Sequence, residues 1–188
     1  MHRDEEAALV QRVAAGDRVA FRTLVEAHQR ALSSFVRRML LDQDSASDIV
    51  QETFLRLWTR AGSYNADAAR LSTWLHNIAR NLCVDSFRKK SRSLEGVGSV
   101  ACENDQDPIS IDPGPAEQRG AQEQAARVRA AIAGLSERQR SAVLMCHYQG
   151  LSNRDAAQIL DVSVEALESL LSRARRRLKQ ELIEHDYS

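Results

Sequence analysis

Residues 152–178, SNRDAAQILDVSVEALESLLSRARRRL, carry apolar side chains at Ala156, Leu160, Val162, Leu167 and either Leu170 or Leu171. That spacing lets two short helices cross steeply over a shared core. The chemistry such a unit offers is the reading of duplex DNA, with the N-terminal residues of its second helix on base edges and other groups on phosphates. Ala157 is small enough to sit where the helices touch. Asp161 falls at the turn, where Asp tolerates a left-handed backbone. Ser163 is placed to cap the second helix, with Glu165 in its first turn. At about 100° per residue, Leu167, Leu171, Ala174 and Leu178 share one face of that helix. Glu165, Ser169, Ser172, Arg173 and Arg176 share the other. With Arg154, Ser163 and Glu168 they are the candidate duplex contacts. Arg173, Arg175, Arg176, Arg177 and Lys179 face no acid between Ser172 and Gln180. An ordinary amphipathic helix with a basic tail shows the same pattern.

A second constellation runs from about Ser72 to Lys90. It has a basic edge at Arg80 and Arg88–Lys90, Trp74 near its start, and Tyr64 and Asn65 in the preceding loop. Cations along a backbone, with flat side chains or pockets for unstacked bases, hold single-stranded DNA. A Trp at the edge of an apolar stripe is equally a core residue, and a basic helix end equally complements the dipole. No enzyme pattern accompanies these sites: HExxH, phosphate loop, nucleophile elbow and paired carboxylates are all absent. Cys83, Cys102 and Cys146 form no CxxC, and Cys146–His147 lacks further ligands at useful spacing. Reduced thiols and no metal, cofactor or small-molecule substrate are expected. A redox-sensing role for Cys102, in an exposed linker, is conceivable but has no support in the sequence.

The elements that must position these residues are helical throughout. The 188 residues carry 26 basic and 26 acidic side chains, so net charge is zero. The charge is nevertheless segregated. Arg70, Arg80, Arg88, Lys89, Lys90 and Arg92 face only Asp85 within 70–92. Glu95, Glu103, Asp105, Asp107, Asp112 and Glu117 face no base within 93–118. An acidic tether beside a basic patch competes for it, so the free chain should bind DNA weakly and need a partner. The start, MHRDEEAALVQ, lacks the apolar core of a signal peptide, and no apolar run spans a membrane. A cytoplasmic chain is expected.

Pro108, Pro113 and Pro115 all lie in 93–118 with Gly96, Gly98 and Gly114, a stretch that should not fold alone. The expected architecture is therefore all-α: two small helical domains, 1–92 and 119–188, joined by a flexible acidic linker at 93–118. The second contains the helix-turn-helix, and the two lobes are expected to move independently. In the first, Gly16-Asp17 separates a short helix from a long one marked by Ala20, Phe21, Leu24, Val25, Leu32, Phe35, Val36 and Leu40. Asp42–Ser47 is a break, with Ser45 or Ser47 as cap. The third helix buries Ile49, Val50, Phe54, Leu57 and Trp58 and presents Asp48, Gln51, Glu52, Leu55 and Arg56. After a loop at 62–70, the fourth buries Leu71, Leu75, Ile78 and Leu82 and turns Thr73, His76, Asn77, Arg80, Val84 and Arg88 outward. In the second lobe a helix at 119–133 precedes Ser136-Glu-Arg-Gln139, a capping box.

Five segments, in order, resemble the extracytoplasmic function (ECF) sigma factors of bacterial RNA polymerase. They are GDRVAFRTLVEAH (16–28), DIVQETFLRLWTR (48–60), STWLHNIARNLCVDSFRKKSR (72–92), LSERQRSAVLMCHYQGLSNRDAAQIL (135–160) and LLSRARRRL (170–178). The resemblance implies a non-enzymatic promoter-specificity subunit. It places Asp48, Gln51, Glu52 and Leu55 on the clamp helices of the largest polymerase subunit, with the flap as a further polymerase contact. It places Trp74, Asn77, Arg80, Asn81 and Arg88, with Tyr64 and Asn65, on the melted −10 strand. It places the helix-turn-helix on the −35 duplex and the linker in the polymerase channels. It further implies a cognate anti-sigma factor, often membrane-anchored, that holds such a factor at the inner membrane until release to the nucleoid. Three departures matter. Leu75 follows Trp74 where primary factors have a second Trp, so melting power should be lower. His28 stands where Tyr is common. ALESLL (166–171) replaces a common TVKSRL, so two cations are missing and Glu165 or Glu168 becomes a candidate acceptor for a cytosine amino group. The competing function is a stand-alone helix-turn-helix regulator that binds operators without polymerase. Neutral charge and the DIVQETFL face argue against it.

Overall fold

The computed structural model describes residues 2–40, 43–94 and 115–184, and every regular element among them is helical. The first lobe holds α1 (Arg3–Ala14), α2 (Arg18–Leu40), α3 (Gln43–Arg60) and α4 (Leu71–Leu94). The second holds α5 (Pro115–Ala133), α6 (Glu137–Val143), α7 (Asn153–Leu160) and α8 (Val164–Glu184). A 3-10 turn, Ala61–Ser63, follows α3, and a π-helical turn, Leu144–Tyr148, extends α6.

Local chemistry sets the boundaries. Gly16 takes a φ of 88°, a conformation that costs glycine little, and ends α1. Asp17 then caps α2: its Oδ1 accepts from the Val19 and Ala20 amides at 2.8 and 3.1 Å. Those bonds, with the Arg12 guanidinium, hold the Asp17 carboxyl below its ordinary pKa. α2 is the centre of the lobe. Ala20, Leu24, Leu32, Phe35, Val36 and Met39 are buried along it, against α1, α3 and α4. α3 buries Ile49, Val50, Phe54 and Leu57 as expected, with Trp58 half-buried on its edge. The expected break at Asp42–Ser47 is different: α3 begins at Gln43, and Ser45 and Ser47 lie inside it. Buried Ala46 explains this, because the first turn of α3 already packs on the core.

The expected linker is helical at both ends. α4 runs to Leu94, and α5 starts at Pro115, a residue whose fixed φ suits a first helical position. The rest of it, 95–114 with its acidic run and Cys102, lies outside the described residues.

The fourth helix corrects the expected stripe. Leu71, Leu75, Ala79 and Cys83 are fully buried, whereas Ile78 and Leu82 are half-buried. Thr73 and His76, expected outward, are buried as well. The reason is a second cover. The π turn lies against α2 and α7 against α4, and one apolar cluster runs through both lobes. The lobes are thus packed together rather than independent. Leu144 and Met145, fully buried in the π turn, extend the apolar surface that makes this possible.

Candidate nucleic-acid interface

The α7–α8 unit is built as its spacing predicts. Ser152 caps α7, accepting from the Asp155 amide at 3.1 Å. Asp161 closes it in the left-handed region, at φ 52° and ψ 55°. Ser163 Oγ accepts from the Ala166 amide at 3.2 Å and so caps α8. Ala156, Ala157, Leu160, Leu167 and Ala174 are buried between the helices, and Leu171, not Leu170, takes the deeper place. The outer residues Arg154, Ser163, Glu165, Glu168, Ser169, Ser172, Arg173 and Arg176 are all exposed. The backbone at Glu165, and next the Ser163 hydroxyl, hold the Glu165 carboxyl below its ordinary pKa. That side chain is therefore engaged at the helix start. Arg173 Nε donates to the Ser169 carbonyl at 3.2 Å, and Arg177 pairs with Glu181 at 3.3 Å.

Around the start of α4 the geometry is different. Tyr64 donates its hydroxyl to the Ala69 carbonyl at 3.0 Å, and its ring meets Trp74 edge-on at 5.7 Å. Burial raises the Tyr64 pKa, which keeps the phenol a donor. Asn65 Oδ1 accepts from the Asp67 amide at 2.9 Å, and Arg3 of α1 donates to the Ala66 carbonyl, so the loop is held at both ends. Asn81 Nδ2 donates to Asn77 Oδ1 at 3.0 Å. Arg80 Nη2 donates to Glu137 Oε1 of α6 at 2.8 Å. Tyr64, Asn65, Trp74, Asn77, Arg80 and Asn81 therefore form one cluster. Arg88 stands apart, roughly 12 Å further along the helix axis, and lies 3.9 Å from Asp85.

Part of this cluster is covered: Tyr64, Trp74, Asn77 and Arg80 are half-buried, while Asn65 and Asn81 are exposed. A cavity of about 180 Å³ is lined by Asn65, Thr73, Trp74 and Asn77 from the first lobe and by Gln158 and Ile159 of α7 from the second. Trp74 and Asn77 are half-buried. The two readings of Trp74, core residue or platform for a base, meet here: one part of the ring packs and another faces the cavity.

On α3 the expected outer face is open. Asp48 and Gln51 are exposed, Leu55 is 54 % exposed, and Glu52 accepts from Arg56 Nε at 2.8 Å. Sequence reasoning missed Glu137, read only as part of a capping box. That box is present, with reciprocal Ser136–Gln139 bonds at 3.2 and 3.4 Å. An acid at this helix start is the available signal, but nothing local pairs it with Arg80 57 residues away. Among the described residues no His, Cys, Asp and Glu group has metal-binding geometry, and no helix is long and apolar enough to cross a membrane. Burial pushes the Cys83 thiol up to about 12 and raises Cys146 too, so neither is a reactive thiolate.

Comparisons with known proteins agree with the two-part geometry. The model of Sigma-70 region 2 matches residues 24–93, and that of Sigma-70 region 4 matches residues 125–178. The chain is 35% identical over 182 residues to the ECF RNA polymerase sigma factor SigM of Mycobacterium tuberculosis, covering 94% of this chain and 84% of that one. It is 31% identical over 173 residues to the RNA polymerase sigma factor NccH of Alcaligenes xylosoxydans, covering 91% of each. Among solved structures, CnrH in complex with the cytosolic domain of CnrY superposes with a TM-score of 0.71 at 25% identity, covering 97% of this chain and 99% of that one. RpoE in complex with the anti-sigma factor NepR, from Bartonella quintana, superposes with a TM-score of 0.69 at 28% identity, covering 86% and 96%.

Proposed function

The chain belongs to the ECF class of RNA polymerase sigma factors, and from that premise we propose how its residues divide the work. It is a transcription initiation factor that binds core RNA polymerase and directs it to promoters. It does so without chemistry of its own, because polymerase makes the bonds. Residues 1–92 act as the core- and −10-binding domain and 119–188 as the −35-binding domain, with 93–118 as the tether.

Asp48, Gln51, Glu52 and Leu55 dock on the clamp helices. What supports this is an exposed polar and acidic stripe around one exposed leucine, a surface suited to a basic partner helix. Tyr64, Asn65, Trp74, Asn77, Arg80 and Asn81 take the melted −10 strand. The single observation that carries this assignment is that the Tyr64–Trp74 ring pair, the Asn77–Asn81 amide pair and the Arg80 guanidinium beside Asn81 follow one another along α4, with Asn65 next to Trp74. Arg88, about two turns beyond Arg80, holds a further phosphate.

Arg154, Ser163, Glu165, Glu168, Ser169, Ser172, Arg173 and Arg176 meet the −35 duplex. Their shared exposure on the capped α7–α8 unit supports this. With Glu165 engaged at the cap, Glu168 is the stronger candidate for a cytosine amino group. The partner that silences the chain is an anti-sigma factor, as in the superposed CnrH and RpoE complexes. Its place of action is the cytoplasm, at the nucleoid when active and at the inner membrane when an anchored anti-sigma factor holds it.

The test is reconstituted transcription with purified core polymerase, this protein and a library of promoter fragments. Defined starts that depend on the protein, with shared −35 and −10 sequences, are the expected result. Specific duplex binding without polymerase-dependent transcripts would instead favour a stand-alone regulator.

A further inference from the structure

Several polar contacts among the described residues tie the second lobe to the first, and three of them frame the start and end of the joint. Arg80 of α4 meets Glu137 of α6 at 2.8 Å, with the side chains 14 % and 31 % exposed. Arg140 Nη1 of α6 donates to the Met39 carbonyl, at the end of α2, at 2.7 Å. The Arg38 guanidinium of α2 lies over the Tyr148 ring at 4.8 Å. Beside the first of these ties, Gln158 and Ile159 close the cavity that Trp74, Asn65 and Asn77 open.

We propose that Glu137 stands on Arg80 in the place of a strand phosphate, so that in the free chain the second lobe is itself a competitor for the −10 strand. This rests on the assignment of the α4 cluster to that strand. The chemistry of the pair argues for replacement rather than permanence. A carboxylate is the protein group nearest in charge to a phosphate, and one oxygen of it takes only one guanidinium N–H here. Arg80 Nε is buried and has no acceptor among the described residues. A phosphate accepts two parallel N–H groups from an arginine and would satisfy both. The pair is also partly in water, so it is weak enough to exchange. Gln158 and Ile159 complete the effect by removing the room a splayed base needs beside Trp74. The acidic tether expected from sequence to mask the basic patch thus has a structured counterpart, a single carboxylate at the start of α6. Binding to core polymerase and promoter would exchange the contact for the strand itself.

The full chain tests this with Trp58→Phe as background, which leaves Trp74 the sole tryptophan. Glu137→Gln keeps an acceptor for Ser141 Oγ, which bonds Glu137 at 3.3 Å, and leaves the Ser136–Gln139 capping box untouched. Far-UV circular dichroism and melting temperature establish that background and variant are folded. We expect acrylamide quenching of Trp74 to rise about twofold in Glu137→Gln, and affinity for a fluorescein-labelled random 20-nucleotide single strand to rise about three- to tenfold. Unchanged quenching with unchanged affinity overturns the proposal. Increased quenching without tighter strand binding overturns the competition while leaving promoter-directed transcription in place. Failure of the underlying assignment shows separately, as loss of neither transcription nor promoter melting when Arg80 is replaced in the holoenzyme.

Discussion

Two helices of this chain carry basic, outward-facing edges, and the fold treats them in opposite ways. On α8 every candidate contact, from Glu165 to Arg176, is exposed. On α4 Arg80 is paired, Trp74 and Asn77 are half-buried, and α7 forms the far wall of their cavity. The difference lies in what stands opposite. No described element of the first lobe packs over the outer face of α8, whereas α6 and α7 bring a carboxylate, an amide and an isoleucine onto α4. On the proposed assignment this matches the two substrates. Duplex −35 DNA exists before polymerase arrives, and a melted −10 strand exists only afterwards.

The largest expected effect breaks the joint between the two regions. Arg140 is 8 % exposed and donates to the carbonyls of Met39, Ile132, Ala133 and Leu135, with Phe87 at 5.8 Å from its guanidinium. Burial lowers its pKa, opposed by Glu137, yet guanidinium stays charged. It neutralises the exposed carbonyl ends of α5 and α2 together. Arg140→Ala strands those acceptors and should cost about 3 kcal/mol, read as a fall in melting temperature of about 6–12 °C. A melting temperature within 2 °C of wild type, on the order of an ordinary surface change, would mean the joint is not held there.

Next in size are the DNA contacts, which sharpen the comparison because the two faces should respond in different assays. Arg80→Ala should lower promoter-specific transcription by the holoenzyme about tenfold, the loss of one charge-assisted contact. In the free protein its effect on duplex binding should be negligible. Arg173→Ala and Arg176→Ala should each weaken duplex binding by the free protein about three- to fivefold and flatten the salt slope by about one. If Arg80→Ala weakened free duplex binding as much as Arg176→Ala, the division into an open and a covered face would fail. Glu168→Ala should leave affinity nearly unchanged and relax the base preference at one −35 position by about 1–3 kcal/mol, measured by selection from a randomised duplex.

Most of the fold was legible because local rules carry it. Ser136 and Ser163 cap helices and Asp161 takes the left-handed turn as read from sequence, while the caps at Asp17 and Ser152 follow the same rule without having been assigned. The apolar period of α2, α3 and α8 also names their buried faces. What was not legible depends on residues far apart in sequence. Thr73 and His76 look outward on a helical wheel because their cover comes from the second lobe and from α2. Glu137 reads as a first-turn acid until α4 is placed beside it. Ala46 turns an expected break into the first turn of α3 through packing, against the preference of the serines around it. The exposure of the α8 candidates was therefore legible from sequence, and the half-burial of Asn77 and Arg80 on α4 was not.

The smallest expected effect separates the two regions by pH. His28 and His76 both lie on the covered side. His76 Nδ1 is 2.7 Å from the Ser72 carbonyl, which fixes the proton there in the neutral ring. Phe35 of α2 meets the ring edge-on at 5.2 Å, and His28 and Gln149 are its other polar neighbours. Burial lowers the His76 pKa below the ordinary imidazole value, with His28 adding to this and Ser72 and Gln149 opposing it. Burial lowers His28 as well, opposed by Glu6, whose carboxylate is 3.2 Å away. Both rings are thus neutral in the fold and more easily protonated in the unfolded chain. Their contribution to stability is present above about pH 6.5 and is lost as pH falls towards the lowered folded values. The described residues of α7 and α8 contain no histidine. Amide exchange measured at pH 7.5 and 5.5, corrected for intrinsic rates, should therefore show protection falling first in α1, α2 and α4 and least in α7 and α8. His76→Gln, which cannot take a second proton, should reduce that acid sensitivity. Equal loss of protection in both regions would make the covered and open faces one cooperative unit, and the two helices would then differ only in what touches them.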